Sequence, residues 1–103
     1  MTKVVIKAAD GVGAVDLYHN ANLKIETTAD GVKILDNVKY VAGTGNDLQI
    51  YHNGSTSLIE DSIGDFRLRS NALKLQAAGG ANYVHCTSGG AVLIHYDNSK
   101  KFE

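Results

Sequence analysis

The residues best equipped for chemistry in this chain of 103 are its four histidines, its carboxylates and its tyrosines. His19 and His52 stand in matching settings, Tyr18-His19-Asn20 and Tyr51-His52-Asn53, and a third setting reverses the order as His95-Tyr96-Asp97. On β-strands, alternation puts His19 on the face of Val15 and Leu17, and His52 on the face of Leu48 and Ile50. Around a three-fold axis, three symmetry-related imidazoles at either level would form an axial polar site able to hold a metal ion or an anion. There is no His-x-His pair, and one histidine per strand is a weak metal signature. The simpler role is at the strand end, hydrogen-bonded to backbone or water before the turn. No metal and no cofactor is expected.

The carboxylates are Asp47, Glu60, Asp61 and Asp65, with Asp16, Glu26 and Glu103. Glycoside cleavage needs two carboxyls held at a set separation across a sugar bond. Here Glu26, Glu60 and Glu103 recur at one place in a repeated unit, which suits a structural role, such as facing Lys24 or Lys101 across a strand. No Gly-x-Ser-x-Gly elbow exists for a serine nucleophile. Gly43-Thr44-Gly45 and Gly79-Gly80 lack the Lys-Ser/Thr of a phosphate loop and read as turns. The expectation is a protein that is not an enzyme. Arg67, Arg69 and Lys74 gather positive charge that would suit an anionic glycan, although interspersed charge on a sheet face ordinarily serves solubility. Among Tyr18, Tyr51, Tyr83 and Tyr96, alternation points Tyr18 and Tyr51 outward, so these two are the glycan-contact candidates; covering neighbouring strands is the competing role. Cys86 is the only cysteine, which excludes an intrachain disulfide and a thiolate zinc site and leaves a small, half-buried apolar residue.

These groups are positioned by a repeating chain. Residues 13–26, GAVDLYHNANLKIE, align without a gap with residues 90–103, GAVLIHYDNSKKFE, at an offset of 77. Gly13/Gly90, Ala14/Ala91, Val15/Val92, Lys24/Lys101 and Glu26/Glu103 are identical. A looser copy, LQIYHNGSTSLIE at 48–60, has one extra residue in its turn. The chain reads as one β-rich domain over 1–103, with repeat-like units at about 4–26, 48–60 and 81–103. Its formal net charge of −1 comes from 10 basic and 11 acidic residues scattered singly, which gives no stripe for nucleic acid. No apolar run approaches the length of a membrane span, and no apolar leader opens the chain. The absence of proline suits a chain built mostly of sheet ladder.

Period-two alternation marks strands around Val4–Ile6, Val15–Leu17, Val32–Ile34, Val38–Tyr40, Leu48–Ile50, Phe66–Arg69, Leu73–Leu75, Tyr83–His85 and Val92–Tyr96. Turn signals at about every 8–12 residues separate them, the all-β rhythm. Leu73 and Leu75 lie two apart, which favours strand over helix, and helix content should be near zero. Each strand offers only two or three aliphatic residues. That is little for one chain, but enough if three copies pool their inward residues about an axis and cover one another's sheet edges. The interchain core candidates are Val15, Leu17, Ile50, Leu68, Leu75, Val92 and Ile94.

Four phrases carry a resemblance: DLQIYHNGSTSLIED at 47–61, FRLRSNALKLQ at 66–76, GGAVLIHYDNSKKFE at 89–103 and KIETTADGVKI at 24–34. They resemble repeats in tail-fibre and other virion structural proteins of tailed bacteriophages, especially marine ones. The resemblance covers nearly the whole chain. It implies a stretch of a longer fibre in the virion, an all-β homotrimeric shaft of the triple β-helix or β-prism kind. Its partners would be two further copies and neighbouring fibre segments, with no nucleic acid and no membrane insertion. The alternative is a β module of a fibre that binds a host surface glycan or receptor.

Overall fold

The computed structural model describes residues 14–96 and 99–102, with side chains through Tyr96. The strand expected at Val4–Ile6 and the sequence turn signals Asp10-Gly11 and Asp97-Asn98 lie outside the described residues. The described residues are all-β, with no helix. The strands are β1 (Asp16–His19), β2 (Asn22–Thr28), β3 (Gly31–Ile34), β4 (Tyr40–Ala42), β5 (Leu48–His52), β6 (Ser57–Asp61), β7 (Ala72–Gln76), β8 (Asn82–Thr87), β9 (Val92–Tyr96) and β10 (Ser99–Phe102). They form three antiparallel meanders, β1-β2-β3, β4-β5-β6 and β7-β8-β9-β10. The chain divides into two compact units: Met1–Asp65, which holds the first two sheets, and Phe66–Glu103, which holds the third.

Turn chemistry explains why these strands follow one another as neighbours. β1 returns into β2 through Asn20 and Ala21, both left-handed, with φ of 49° and 64°. That mirror-image turn matches the twist of the strands it joins. β5 returns into β6 through a longer loop, in which Asn53 Oδ1 accepts from the backbone N–H of Ser55 (3.0 Å) and of Thr56 (2.9 Å). Between β4 and β5 the chain turns at Gly43, with φ of 92°. A Cβ there would displace the Asp47 carboxylate, whose Oδ2 would lie 2.5 Å away, and the positive φ is what favours glycine. Beyond β3, Asn37 donates its N–H to the carbonyl of His52 (2.8 Å), tying the β3–β4 link to the tip of the next hairpin.

Two expected strands differ. Around Val38–Tyr40 the ladder starts only at Tyr40, because the turn at Asp36-Asn37 takes up the preceding residues. Phe66–Arg69 alternates like a strand but is not one. β6 ends at Asp61, β7 pairs only with β8, and no ladder partner lies beside 66–69 among the described residues. Alternation gives a segment its two faces, whereas hydrogen bonds to a neighbour make it a strand.

No described residue, apolar or polar, is buried. Packed sheets bury their inner faces, so none of these sheets has the covered face that such packing would give it.

Candidate functional site

The register gives each sheet one face with aliphatic rows and one mixed face that carries most of its polar side chains. In the first sheet Leu17, Ile25 and Ile34 lie opposite one another across all three strands. Beside that row, Val15 and Thr27 are locked together. The Thr27 N–H donates to the Val15 carbonyl (3.0 Å), and the Val15 N–H donates to Thr27 Oγ1 (2.8 Å). Val32, opposite Thr27, extends this face and is 70% exposed. The reverse face carries Asp16, Glu26 and Lys33 in one row. Lys33 Nζ meets Glu26 Oε1 at 2.7 Å, a bond that raises the lysine above its ordinary range. The expectation that Glu26 faces Lys24 is corrected here. Lys24 is the unpaired bulge residue, and the carboxylate's partner comes from β3 instead.

In the second sheet Tyr40, Ile50 and Ile59 form the apolar row, with Ala42 and Leu48 on the same face. Its reverse face carries Val41 and Leu58 beside a hydrogen-bonded polar set. Lys39 Nζ donates to Gln49 Oε1 (2.7 Å), and Gln49 Nε2 donates to the Asn46 carbonyl (3.1 Å). Tyr51 Oη donates to Glu60 Oε1, and Lys39 Nζ sits 4.5 Å from the Tyr51 ring centroid. The bond to Glu60 raises the Tyr51 phenol above its ordinary value. A hollow of about 260 Å³ at this sheet's end is lined by Asp47, Gln49, Glu60, Asp61 and Ser62. Among the described residues no cluster of three or more histidines, cysteines or carboxylates is placed to hold a metal.

The third sheet repeats the design. Leu75, Val84 and Ile94 make one row, and Leu73, Cys86 and Val92 the next. The other face mixes Lys74, His85 and Leu93. Cys86 is free and half-buried, as its sequence context predicts. Both ring nitrogens of His95 are shielded from solvent and have no hydrogen-bond partner among the described residues, so this imidazole is packed rather than solvated.

Six of the seven core candidates therefore lie in apolar rows or beside them: Val15 and Leu17 in the first sheet, Ile50 in the second, and Leu75, Val92 and Ile94 in the third. Leu68 stands in no strand and is 58% exposed. His52 shares the Leu48 and Ile50 face, and its Nδ1 is hydrogen-bonded to Ser57 Oγ (3.0 Å). His19 Nε2 accepts from Asn20 Nδ2 (3.3 Å). Both histidines thus have partners at the strand end, next to their turns. Tyr18 is largely exposed, whereas Tyr51 has its hydroxyl and one ring face occupied within its own sheet. The core candidates did not include Ile25, Ile34, Tyr40 and Ile59, whose places in the apolar rows depend on cross-strand partners; Ile34 and Tyr40 already stood in expected strands, and Ile25 and Ile59 each precede the recurring glutamate.

No family model matches the chain, and neither a curated protein nor a solved structure matches it.

Proposed function

We propose that this chain is a non-enzymatic structural module. Three copies associate about a common axis, through the apolar faces of their sheets, into a stiff shaft segment of a phage tail fibre. The observation that carries this reading is that each sheet has an aliphatic face and no described residue is buried. Moving a valine, leucine or isoleucine from water into an interior is worth about 1.5–3 kcal/mol. Partially exposed rows such as Leu17/Ile25/Ile34 therefore leave a large stabilisation unclaimed in one chain. Closed three-fold association claims it, and it covers sheet edges that would otherwise pair indiscriminately. A triple β-helix or β-prism meets both needs, with the Glu26–Lys33 and Lys39–Tyr51–Glu60 faces turned to water. The shaft's work is geometric: its length sets the reach of a host-recognition tip in the virion, and neighbouring fibre segments continue it. The virion setting draws its support from the four phrases of the sequence. Against the glycan-binding alternative, Lys39 occupies a face of the Tyr51 ring that a sugar would need.

Light scattering tests the proposal. A solution mass of about three times 11.0 kDa supports it, and a folded, monodisperse monomer overturns it.

A further inference from the structure

The first and last hairpins are the same object in different surroundings. Leu17 opposite Ile25 becomes Ile94 opposite Phe102; Tyr18 opposite Leu23 becomes His95 opposite Lys100; His19 opposite Asn22 becomes Tyr96 opposite Ser99. Every pair moves by the 77-residue offset of the sequence repeat. The bulge moves with them, leaving Lys24 unpaired in one hairpin and Lys101 in the other. The neighbours differ. β2 is paired on both edges, by β1 and by β3, whereas β10 is paired only by β9 and ends its sheet among the described residues.

We infer that the outer edge of β10 is a strand-acceptor site, and that its occupant is an antiparallel strand of the β3 type, Gly-Val-Lys-Ile, supplied by polypeptide of this same repeat. An open edge presents unpaired N–H and C=O groups, and a matching strand is the ligand that satisfies them. The internal repeat shows which strand matches. β2 runs into β3 through a two-residue turn that sets Ile34 opposite Ile25, so the occupant sets its isoleucine opposite Phe102. Glycine is required at its first position, because Gly31 has φ of 142° as it leaves the turn. Lys33 pairs with Glu26 in the first sheet, and Glu103 is the sequence counterpart of Glu26. The first and third sheets are then partial views of one five-stranded meander: the four strands present in the third sheet plus the β3-type strand. This pairing runs along a backbone edge of one chain and does not depend on the three-copy reading.

The test uses the full chain lengthened after Glu103 by the sequence of residues 27–36, TTADGVKILD, with amide exchange followed by NMR. A tethered strand is present at high effective concentration, so modest pairing is visible. The β10 amides and those of the added strand are expected to exchange about tenfold more slowly than the same β10 amides in the unlengthened chain. A cross-strand backbone contact is expected between Phe102 and the added isoleucine. Proline in place of the added lysine should abolish both effects, because it breaks the ladder. The inference is overturned if the added residues exchange as free coil while the β1–β3 amides stay protected, or if the proline version is protected equally. A monomeric mass would remove the trimer and leave this result standing.

Discussion

The β1–β2 and β5–β6 hairpins share the sequence Tyr-His-Asn at the same place and solve their geometry differently. The first uses a two-residue left-handed turn and then a bulge at Lys24. The second uses a four-residue loop organised by the Asn53 side chain, followed by a regular ladder. The second hairpin's extra residue is thus two more in the turn and one fewer in the bulge. Both routes put an aliphatic pair in one row, Leu17 with Ile25 and Ile50 with Ile59. A slip of one residue would send that row to the opposite face. Keeping the apolar row in register is therefore the constraint the two hairpins hold in common, while turn type varies.

The sharpest way to break that comparison is to attack the shared row. On the proposed three-fold association, Ile50→Asp puts charge into the pooled aliphatic layer, and should cost about 3 kcal/mol per chain and dissociate the assembly. Val41→Asp makes the same kind of change on the reverse face, where Val41 lies opposite Gln49, and should stay within about 1 kcal/mol. Sedimentation and urea melts of the pair decide it; equal effects would remove the distinction between the faces.

The two turns come next. Asn53→Ala removes the acceptor for two backbone donors and should destabilise by about 1–2 kcal/mol. In the first hairpin the strain lies in a residue with a Cβ held left-handed, so Ala21→Gly should stabilise by about 1 kcal/mol. Thermal melts of the two variants should therefore shift in opposite directions. Deleting Lys24 has a smaller expected effect. It removes only the unpaired residue and gives the first hairpin the regular ladder of the second. Leu17 and the isoleucine should remain opposite by NMR, with a loss below about 1 kcal/mol. A flipped register would show that the bulge itself sets the face.

The smallest effect concerns Tyr51, which has a carboxylate partner where Tyr18 has none described. Its folded-state value is raised from 10.0, chiefly by the Glu60 hydrogen bond. The bond's contribution is therefore fully present below the unfolded tyrosine value and is lost as pH rises through the higher folded one. In an absorbance titration, Tyr51→Phe should remove a tyrosine that ionises above its ordinary range, and the stability gap between parent and variant should close at alkaline pH.

Much of this molecule was legible in its sequence. Alternation located the strands around Leu17, Ile50, Leu75 and Ile94, and paired turn residues located most of the returns. Phe66–Arg69 misled because its alternation is as good as that of β7, yet among the described residues no strand forms a ladder with it. Glu26 misled in another way. Its recurrence marked it as structural, but the lysine nearest in sequence was not its partner, since Lys33 arrives from a strand whose register the turn at Ala29-Asp30 fixes.

By itself, the sequence determined the all-β character, the 77-residue recurrence and the two-faced pattern of each strand, because these depend on local periodicity and on residues suited to turns. Only the tertiary structure decided which residues stand opposite one another, where the ladder skips Lys24 and Lys101, and which strands stand at sheet edges among the described residues. Those features depend on hydrogen bonds between segments well separated along the chain, and on the sign of φ at a few turn residues, neither of which a local pattern records.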